Sequence, residues 1–197
     1  MIKEGLLVVI SSPSGGGKTT ICDRLREQNP SYQYSVSVTT RPRREGEVDG
    51  QHYCFFSVEE FRRLIQQGEF AEWAQVHDHY YGTRKAFIDK ILKNHKISLF
   101  DLDVQGGLHL KEAYPQSVLI FILPPSMEVL ETRLRSRKTD DDQIIKTRLK
   151  NAQAELKYWL QYDYVVINDQ LDSAVKKVQA IIEAELCRVS RVKTSGR

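Results

Sequence analysis

Five apolar residues in a row, Leu6-Leu7-Val8-Val9-Ile10, lead through Ser11 into Ser12-Pro13-Ser14-Gly15-Gly16-Gly17-Lys18-Thr19. A short unbroken apolar run reads as a strand buried on both faces. Ile21-Cys22-Asp23-Arg24-Leu25 then begins an amphipathic helix. Strand, glycine-rich turn, Lys-Thr and helix make up the P-loop arrangement. Glycines let backbone N–H groups converge on phosphate oxygens with no Cβ in the way. The helix presents its positive end to the same anion. The stretch Ser12, Pro13, Ser14, Gly15, Gly16, Gly17, Lys18, Thr19 and Thr20 is therefore the candidate cradle for a nucleoside triphosphate. Lys18 can reach the terminal phosphates, and the Thr19 hydroxyl can ligate Mg²⁺. Ser12 stands where the first glycine of G-x-x-x-x-G-K-[ST] would be, so a strict pattern match fails here. The loop says that a triphosphate binds; what is done with it must come from other residues.

At 197 residues the chain has the length of one domain with a substantial core. Its 41% apolar and 28% charged content is ordinary for a soluble globular protein. The net charge of +3 comes from the tail. Arg188, Arg191, Lys193 and Arg197 lie in the last ten residues, leaving 25 basic against 26 acidic side chains before them. That distribution gives only weak support for a nucleic-acid surface. Three scattered cysteines, Cys22, Cys54 and Cys187, form no CxxC pair. They point to a reducing compartment without a disulfide framework or zinc site. The apolar run after Glu4 is too short for a secretory signal, and no segment approaches a membrane span. The expected location is cytoplasmic.

Along the chain, helix signals cover 20–28, ended by Asn29-Pro30, and an alternating strand covers 34–40. A second strand at 53–56 precedes a helix with Ser57 as N-cap and Glu60 completing a capping box. Residues 69–81 read as short extended pieces and turns, and 83–94 as a helix. Buried strands follow at 97–100, 118–123 and 164–167. Helices fill 126–137 and 143–160 on either side of a polar break, and Asp172 is the expected cap of a last helix. Alternating strands and helices imply a parallel sheet with helices on both faces. The expectation is an α/β, three-layer P-loop fold with a parallel central sheet, an inserted lobe and a helical lid. Its core would comprise 1–36, 95–125 and 158–190, the lobe 37–94, the lid 126–157, and a basic tail 191–197.

Four groups of residues outside the loop carry chemistry. Asp101 and Asp103 follow a buried strand, where a P-loop fold places its Mg²⁺-side acids. Arg41 and Arg44 with Tyr53 and Tyr81 can cage a phosphate, since guanidinium forks form paired charge-assisted hydrogen bonds; a solvated basic turn is the plainer reading. Glu72 lies between Phe70 and Trp73, unusual company for a charge, and pairs in the reading with Thr83. By itself, a surface acid beside a packed tryptophan explains it as well. Arg133 and Arg137 share a helix face, with Arg148 on the next helix. Arginines stabilise the charge spread over a moving phosphoryl group, yet spacing alone also fits ordinary surface charge.

The ordered set of motifs resembles guanylate kinase. It comprises Ser35-Val36-Ser37, the run Thr39-Thr40-Arg41-Pro42-Arg43-Arg44-Glu45-Gly46-Glu47-Val48-Asp49-Gly50 through Tyr53, Phe70-Ala71-Glu72-Trp73-Ala74, and Tyr80-Tyr81-Gly82-Thr83. Asp101-Leu102-Asp103-Val104-Gln105-Gly106, Phe121-Ile122-Leu123-Pro124-Pro125-Ser126 and Val166-Ile167-Asn168-Asp169 complete it. The resemblance implies Mg²⁺-dependent transfer of a phosphoryl group from ATP to GMP. It implies that Ser37, Arg41, Arg44, Tyr53 and Tyr81 hold the GMP phosphate, and that Glu72 and Thr83 read guanine. Asp103 matches an acid near the acceptor and the metal, with Thr19 and Asp101 on the metal side, partly through water. Arg133, Arg137 and Arg148 match lid arginines that act with Lys18 and Arg41 in catalysis. Arg137 and Asn168 match ATP-side positions, the latter close to adenine. Lys138 departs from the family, which usually has glycine there. The expected partners are the nucleotides ATP and GMP, with neither membrane nor nucleic acid, and the oligomeric state is left open. Two other readings survive: a kinase for a different nucleoside monophosphate, and a catalytically inactive module that binds phosphorylated peptides.

Overall fold

The structure is a computed structural model that describes residues 2–3, 5–76, 78–136 and 142–193. In chain order it contains β1 (Ile2–Lys3), β2 (Leu6–Ser11), α1 (Lys18–Gln28), β3 (Gln33–Tyr34), β4 (Val38–Thr39), β5 (Cys54–Phe55) and α2 (Val58–Gln66). Next come β6 (Phe70–Val76), β7 (His79–Arg84), α3 (Lys85–Lys93), β8 (Ile97–Asp101), α4 (Val104–Ala113) and β9 (Val118–Leu123). The remainder is α5 (Met127–Ser136), α6 (Asp142–Glu155), a 3₁₀ turn (Leu156–Gln161), β10 (Tyr164–Ile167), α7 (Leu171–Leu186), a second 3₁₀ turn (Val189–Arg191) and β11 (Val192–Lys193).

Strand β2 shows why the apolar run at 6–10 folds as it does. It lies inside a five-stranded sheet of order β10-β9-β2-β8-β3, parallel throughout. Leu6, Val8 and Ile10 point to one face, where Ile21 and Leu25 of α1 and Val175, Val178 and Ile182 of α7 cover them. Leu7 and Val9 point to the other, against Ile88 and Ile91 of α3 and Leu110 of α4. Both sides of each pleat are thus buried, giving three layers. The carboxyl ends of β2, β8 and β10 then lead to Ser12, Asp101 and Asn168, the edge where such sheets bind ligands. Among the described residues, no helix is long and apolar enough to cross a membrane.

A second, four-stranded sheet of order β5-β4-β7-β6 stands beside the first. Its floor is a small core of Val38, Phe61, Leu64 and Phe70. Phe61 stacks on Phe70 at 4.3 Å and on Tyr80 at 5.4 Å between ring centroids. The structure corrects the sequence reading in several places, among them the helix expected at 83–94, which begins at Lys85 after Thr83 and Arg84 end β7, and that expected at 143–160, whose α-helix ends at Glu155. The strand expected at 34–40 is two strands, because Ser35 to Ser37 hand the chain from one sheet to the other: β3 pairs with β8, β4 with β5 and β7. Strands β6 and β7 pair antiparallel along their length in place of short pieces, with a register shift between Phe70 and Glu72. The last helix begins at Leu171 with Gln170 as its N-cap, so Asp172 lies in the first turn.

Helices α5 and α6 pack through Leu130, Leu134, Ile145 and Ala152. Helix α2 starts with the expected capping box: the Ser57 hydroxyl accepts the Glu60 N–H at 3.1 Å, and the Glu60 carboxylate accepts the Ser57 N–H at 3.0 Å. Because α2 supplies Phe61 to the aromatic floor, its start bears on the whole second sheet. Ser57→Ala should cost about 1 kcal/mol and lower the thermal midpoint by about 2–4 °C for a chain of this size. Calorimetry checks this; an unchanged midpoint would mean the helix start is held by its tertiary contacts alone.

Candidate active site

The glycine-rich turn depends on one close approach. Gly17, the N-cap of α1, has φ of 96°, and a Cβ there would lie 2.5 Å from Nδ2 of Asn168. That amide nitrogen donates to the Gly16 carbonyl at 2.9 Å, so the end of β10 fastens the loop from behind. Lys18 and Thr19 open α1, and both turn to Asp101. Lys18 Nζ lies 2.7 Å from one carboxylate oxygen, and the Thr19 hydroxyl donates to the other at 2.6 Å. Burial pushes the Lys18 ammonium down, but the charge and hydrogen bond of Asp101 outweigh it, and the net shift is upward. Thr20 faces solvent in the first turn of α1.

A cavity of about 210 Å³ opens beside Lys18 and Asp101 and is also lined by Ser37, Tyr53, Tyr81, Glu72 and Asp103. Glu72 is only 5% exposed. Its carboxylate accepts the Thr83 hydroxyl at 2.6 Å across the β6–β7 pair, where the two residues are register partners. Gly106 separates Glu72 from Asp103: a Cβ there would lie 3.1 Å from an oxygen of each. Asp103 caps α4, accepting the Gly106 N–H at 2.7 Å. Burial pushes Glu72 up to about 7; the Thr83 hydrogen bond opposes this and the Asp103 charge adds to it. The site therefore holds a carboxylate in want of further hydrogen-bond donors.

The basic turn adjoins this cavity through a larger one of about 570 Å³, lined by Thr19, Arg41, Arg44, Tyr53, Tyr81 and Asp101, among others. The Tyr53 and Tyr81 rings meet edge to face at 6.0 Å. The Arg41 guanidinium lies 5.4 Å from the Tyr53 ring centre and forms a two-pronged pair with Glu47, at 3.0 and 2.6 Å. Glu47 also accepts the Arg44 N–H at 2.7 Å. The hydrogen bond from Arg41, first among several causes, holds the Glu47 carboxyl below its usual range. A carboxylate and a phosphate present similar paired oxygens to a guanidinium fork. Glu47 thus occupies Arg41 as a phosphate could.

Of the three expected arginines, the structure describes two. Arg133 donates to the Asn168 carbonyl at 2.9 Å. Arg148 donates from Nε and Nη2 to the Ser14 hydroxyl at 3.0 and 2.9 Å. Arg137, like Lys138, lies outside the described residues. Two acids at the site were not singled out from sequence. Glu47 had no periodicity to flag it in a turn-rich stretch. Glu155, whose carboxylate accepts the Ser14 N–H at 3.2 Å, lies seven residues after Arg148, a spacing that puts both on one helix face.

The upward shift of Glu72 ties stability to pH. The folded chain holds this proton more tightly than the unfolded chain does, so the contribution is full below about pH 4.5. It is lost as pH rises through about 7. The ligand-free protein should lose stability on the order of 3 kcal/mol over that window from this group, and Glu72→Gln should abolish that component. Denaturant unfolding at pH 5 and pH 8 measures it. Equal pH dependence in both proteins would show that Glu72 does not carry the effect.

Comparisons with known proteins show the family. The family model described as Guanylate kinase matches residues 4–185. The guanylate kinase of Caldanaerobacter subterraneus subsp. tengcongensis is 52% identical over 191 residues, covering 97% of this chain and 93% of that protein. That of Rhizobium meliloti is 48% identical, covering 96% and 87%. The crystal structure of guanylate kinase from Anaplasma phagocytophilum superposes with a TM-score of 0.81 at 34% identity, over 96% of this chain and 90% of that one. With the match running almost end to end in both sequence and fold, the chain belongs to the guanylate kinase family.

Proposed function

We propose that this protein transfers the γ-phosphoryl group of ATP to GMP, giving ADP and GDP, and that it works in the cytoplasm. The observation that carries the reading is a single cavity lined by both the buried Glu72 and the loop lysine, Lys18. Guanine offers two donors side by side, N1–H and the N2 amino group, with O6 beside them. The Glu72 carboxylate accepts from both, and the Thr83 hydroxyl can turn from Glu72 to donate to O6. Adenine would oppose a lone pair at N1 to the carboxylate. Guanine thus supplies the donors that the buried acid lacks.

At the other end of GMP, Ser37, Arg41, Arg44, Tyr53 and Tyr81 hold the phosphate, with Arg41 exchanging Glu47 for it. No side-chain base is needed, because a phosphate monoester has a second pKa of about 6 and is largely dianionic at neutral pH. The loop from Ser12 to Thr20 takes the ATP phosphates, and Lys18 leaves Asp101 for the terminal ones. Asn168 serves ATP by holding the loop. Arg133, Arg137 and Arg148 draw charge away from the transferred group. A magnesium ion fits the donors present. Thr19 and Asp101 are hard oxygen ligands in hydrogen-bond contact, and Asp103, which lines the same cavity as Asp101, would act through water. Among the described residues, no cluster of three or more His, Cys, Asp or Glu suggests an all-protein metal cage. That suits an ion that keeps waters and substrate oxygens. When bound, it would neutralise phosphate charge. The lobe at 37–94 and the lid at 126–157 close over the core when both nucleotides are present, which limits hydrolysis of ATP by water.

Coupled measurement of ADP formation tests the reading. GMP should be phosphorylated far faster than AMP, UMP, CMP or dTMP. Lys18→Ala should lower kcat by at least about 100-fold while GMP affinity stays near normal, since Lys18 serves the donor. Similar rates with every acceptor, or full turnover by the lysine variant, would overturn it.

A further inference from the structure

Helix α6 grips a single phosphate-loop residue, Ser14, from two positions. Arg148 donates to its hydroxyl, and Glu155, two turns later, accepts its backbone N–H at 3.2 Å. Nothing in the functional reading assigns a role to Glu155. It is the last residue of α6, where the regular helix gives way to the 3₁₀ turn Leu156–Gln161.

At the opposite end of α6 from Glu155, Asp142 pairs with Arg135 of α5 at 2.6 Å, an exposed ion pair of the kind that contributes little once screened by solvent. Ile145 and Ala152 pack on Leu130 and Leu134 of α5. Such contacts are non-directional; they set a distance between helices but hold axial rotation and sliding loosely. Arg148 sits between Ile145 and Ala152 at the end of a long side chain, so its guanidinium reaches the loop reproducibly only if the α6 backbone is fixed there. A hydrogen bond from a main-chain N–H to a carboxylate is directional and among the stronger kinds. Its donor belongs to the same residue that Arg148 touches. The seven-residue spacing puts both side chains on one face of α6, so one contact sets the register of the other.

We propose that Glu155 is a positioning residue for phosphoryl transfer. By accepting the Ser14 N–H it fixes α6 against the phosphate loop, and so delivers Arg148 in register. The inference rests on the phosphotransferase reading given above.

Steady-state kinetics on the full chain separates the two. Wild type, Glu155→Gln, Glu155→Ala, Arg148→Ala and the Arg148→Ala/Glu155→Ala double variant are compared for kcat and for KM of ATP and GMP, with melting temperatures alongside. Glu155→Ala should lower kcat about tenfold or more, the scale of a lost hydrogen bond to a charged group, and leave the KM for GMP unchanged. Glu155→Gln keeps an acceptor oxygen and should stay within about threefold of wild type. In the Arg148→Ala background, removing Glu155 should add no further loss, because the two act as a unit. If the alanine variant does not fold, Glu155→Leu, which restores the volume, takes its place. Wild-type kcat in the alanine variant, or an equal further loss in the Arg148→Ala background, would overturn the proposal. So would a lower KM for ATP at unchanged kcat, which would make Glu155 an anion stand-in displaced by the nucleotide. A wild-type protein that does not phosphorylate GMP would instead refute the functional reading itself.

Discussion

A carboxylate buried with one residue, Thr83, supplying its hydrogen bonds is costly to fold around, and this molecule is built around one. Glu72 lies on the inward face of β6, opposite Thr83 on β7. The two strands can pair there only because Gly82 lets β7 pass over the aromatic floor; a Cβ at that position would lie 2.9 Å from the Phe70 ring and 3.1 Å from Phe61. Gly106 likewise admits the start of α4 against the same carboxylate. The aromatic stack, the register of β6 with β7 and the approach of α4 therefore converge on one acid. They keep it dry and short of donors, the condition under which a ligand's N–H groups matter most.

The phosphate side follows a different principle: the protein's own carboxylates pair with two of its cations, Lys18 and Arg41. Asp101 takes Lys18 and Thr19, and Glu47 takes Arg41 through both prongs. These pairs hold the side chains near the positions where phosphate is needed, and leave neither half-buried cation unpaired. The loop itself is fastened from behind by Asn168, whose carbonyl in turn receives Arg133. Substrate binding on this account is an exchange of anions.

Much of this was legible in the sequence, and the misses have physical causes. The buried strands declared themselves because parallel strands covered on both faces are apolar without interruption. The P-loop followed from glycine placement after such a strand. The pairing of β6 with β7 escaped because the inward residues of β6 are Phe70, Glu72 and Ala74, so the charge that matters for function broke the alternation that marks a strand. The run at 34–40 alternates evenly, and nothing local shows that its two ends belong to different sheets. Arg41 and Arg148 were visible as cations, but their partners Glu47 and Ser14 depend on how the chain returns in three dimensions. Glu155 had a usable signal in its seven-residue spacing from Arg148, though many exposed helical acids share such a spacing with a base.

The central claim is that Glu72 reads the base. Its most direct test is the ratio of GMP to AMP phosphorylation, as kcat/KM, in wild type and in Glu72→Ala. A site built for hydrogen bonding can discriminate by about 10⁴–10⁵. The account predicts that this ratio collapses in the variant, with GMP activity largely lost and ATP binding intact. A variant that still preferred GMP by the wild-type ratio would contradict it, and the reader would have to be sought in another carboxylate of the cavity, Asp103 first.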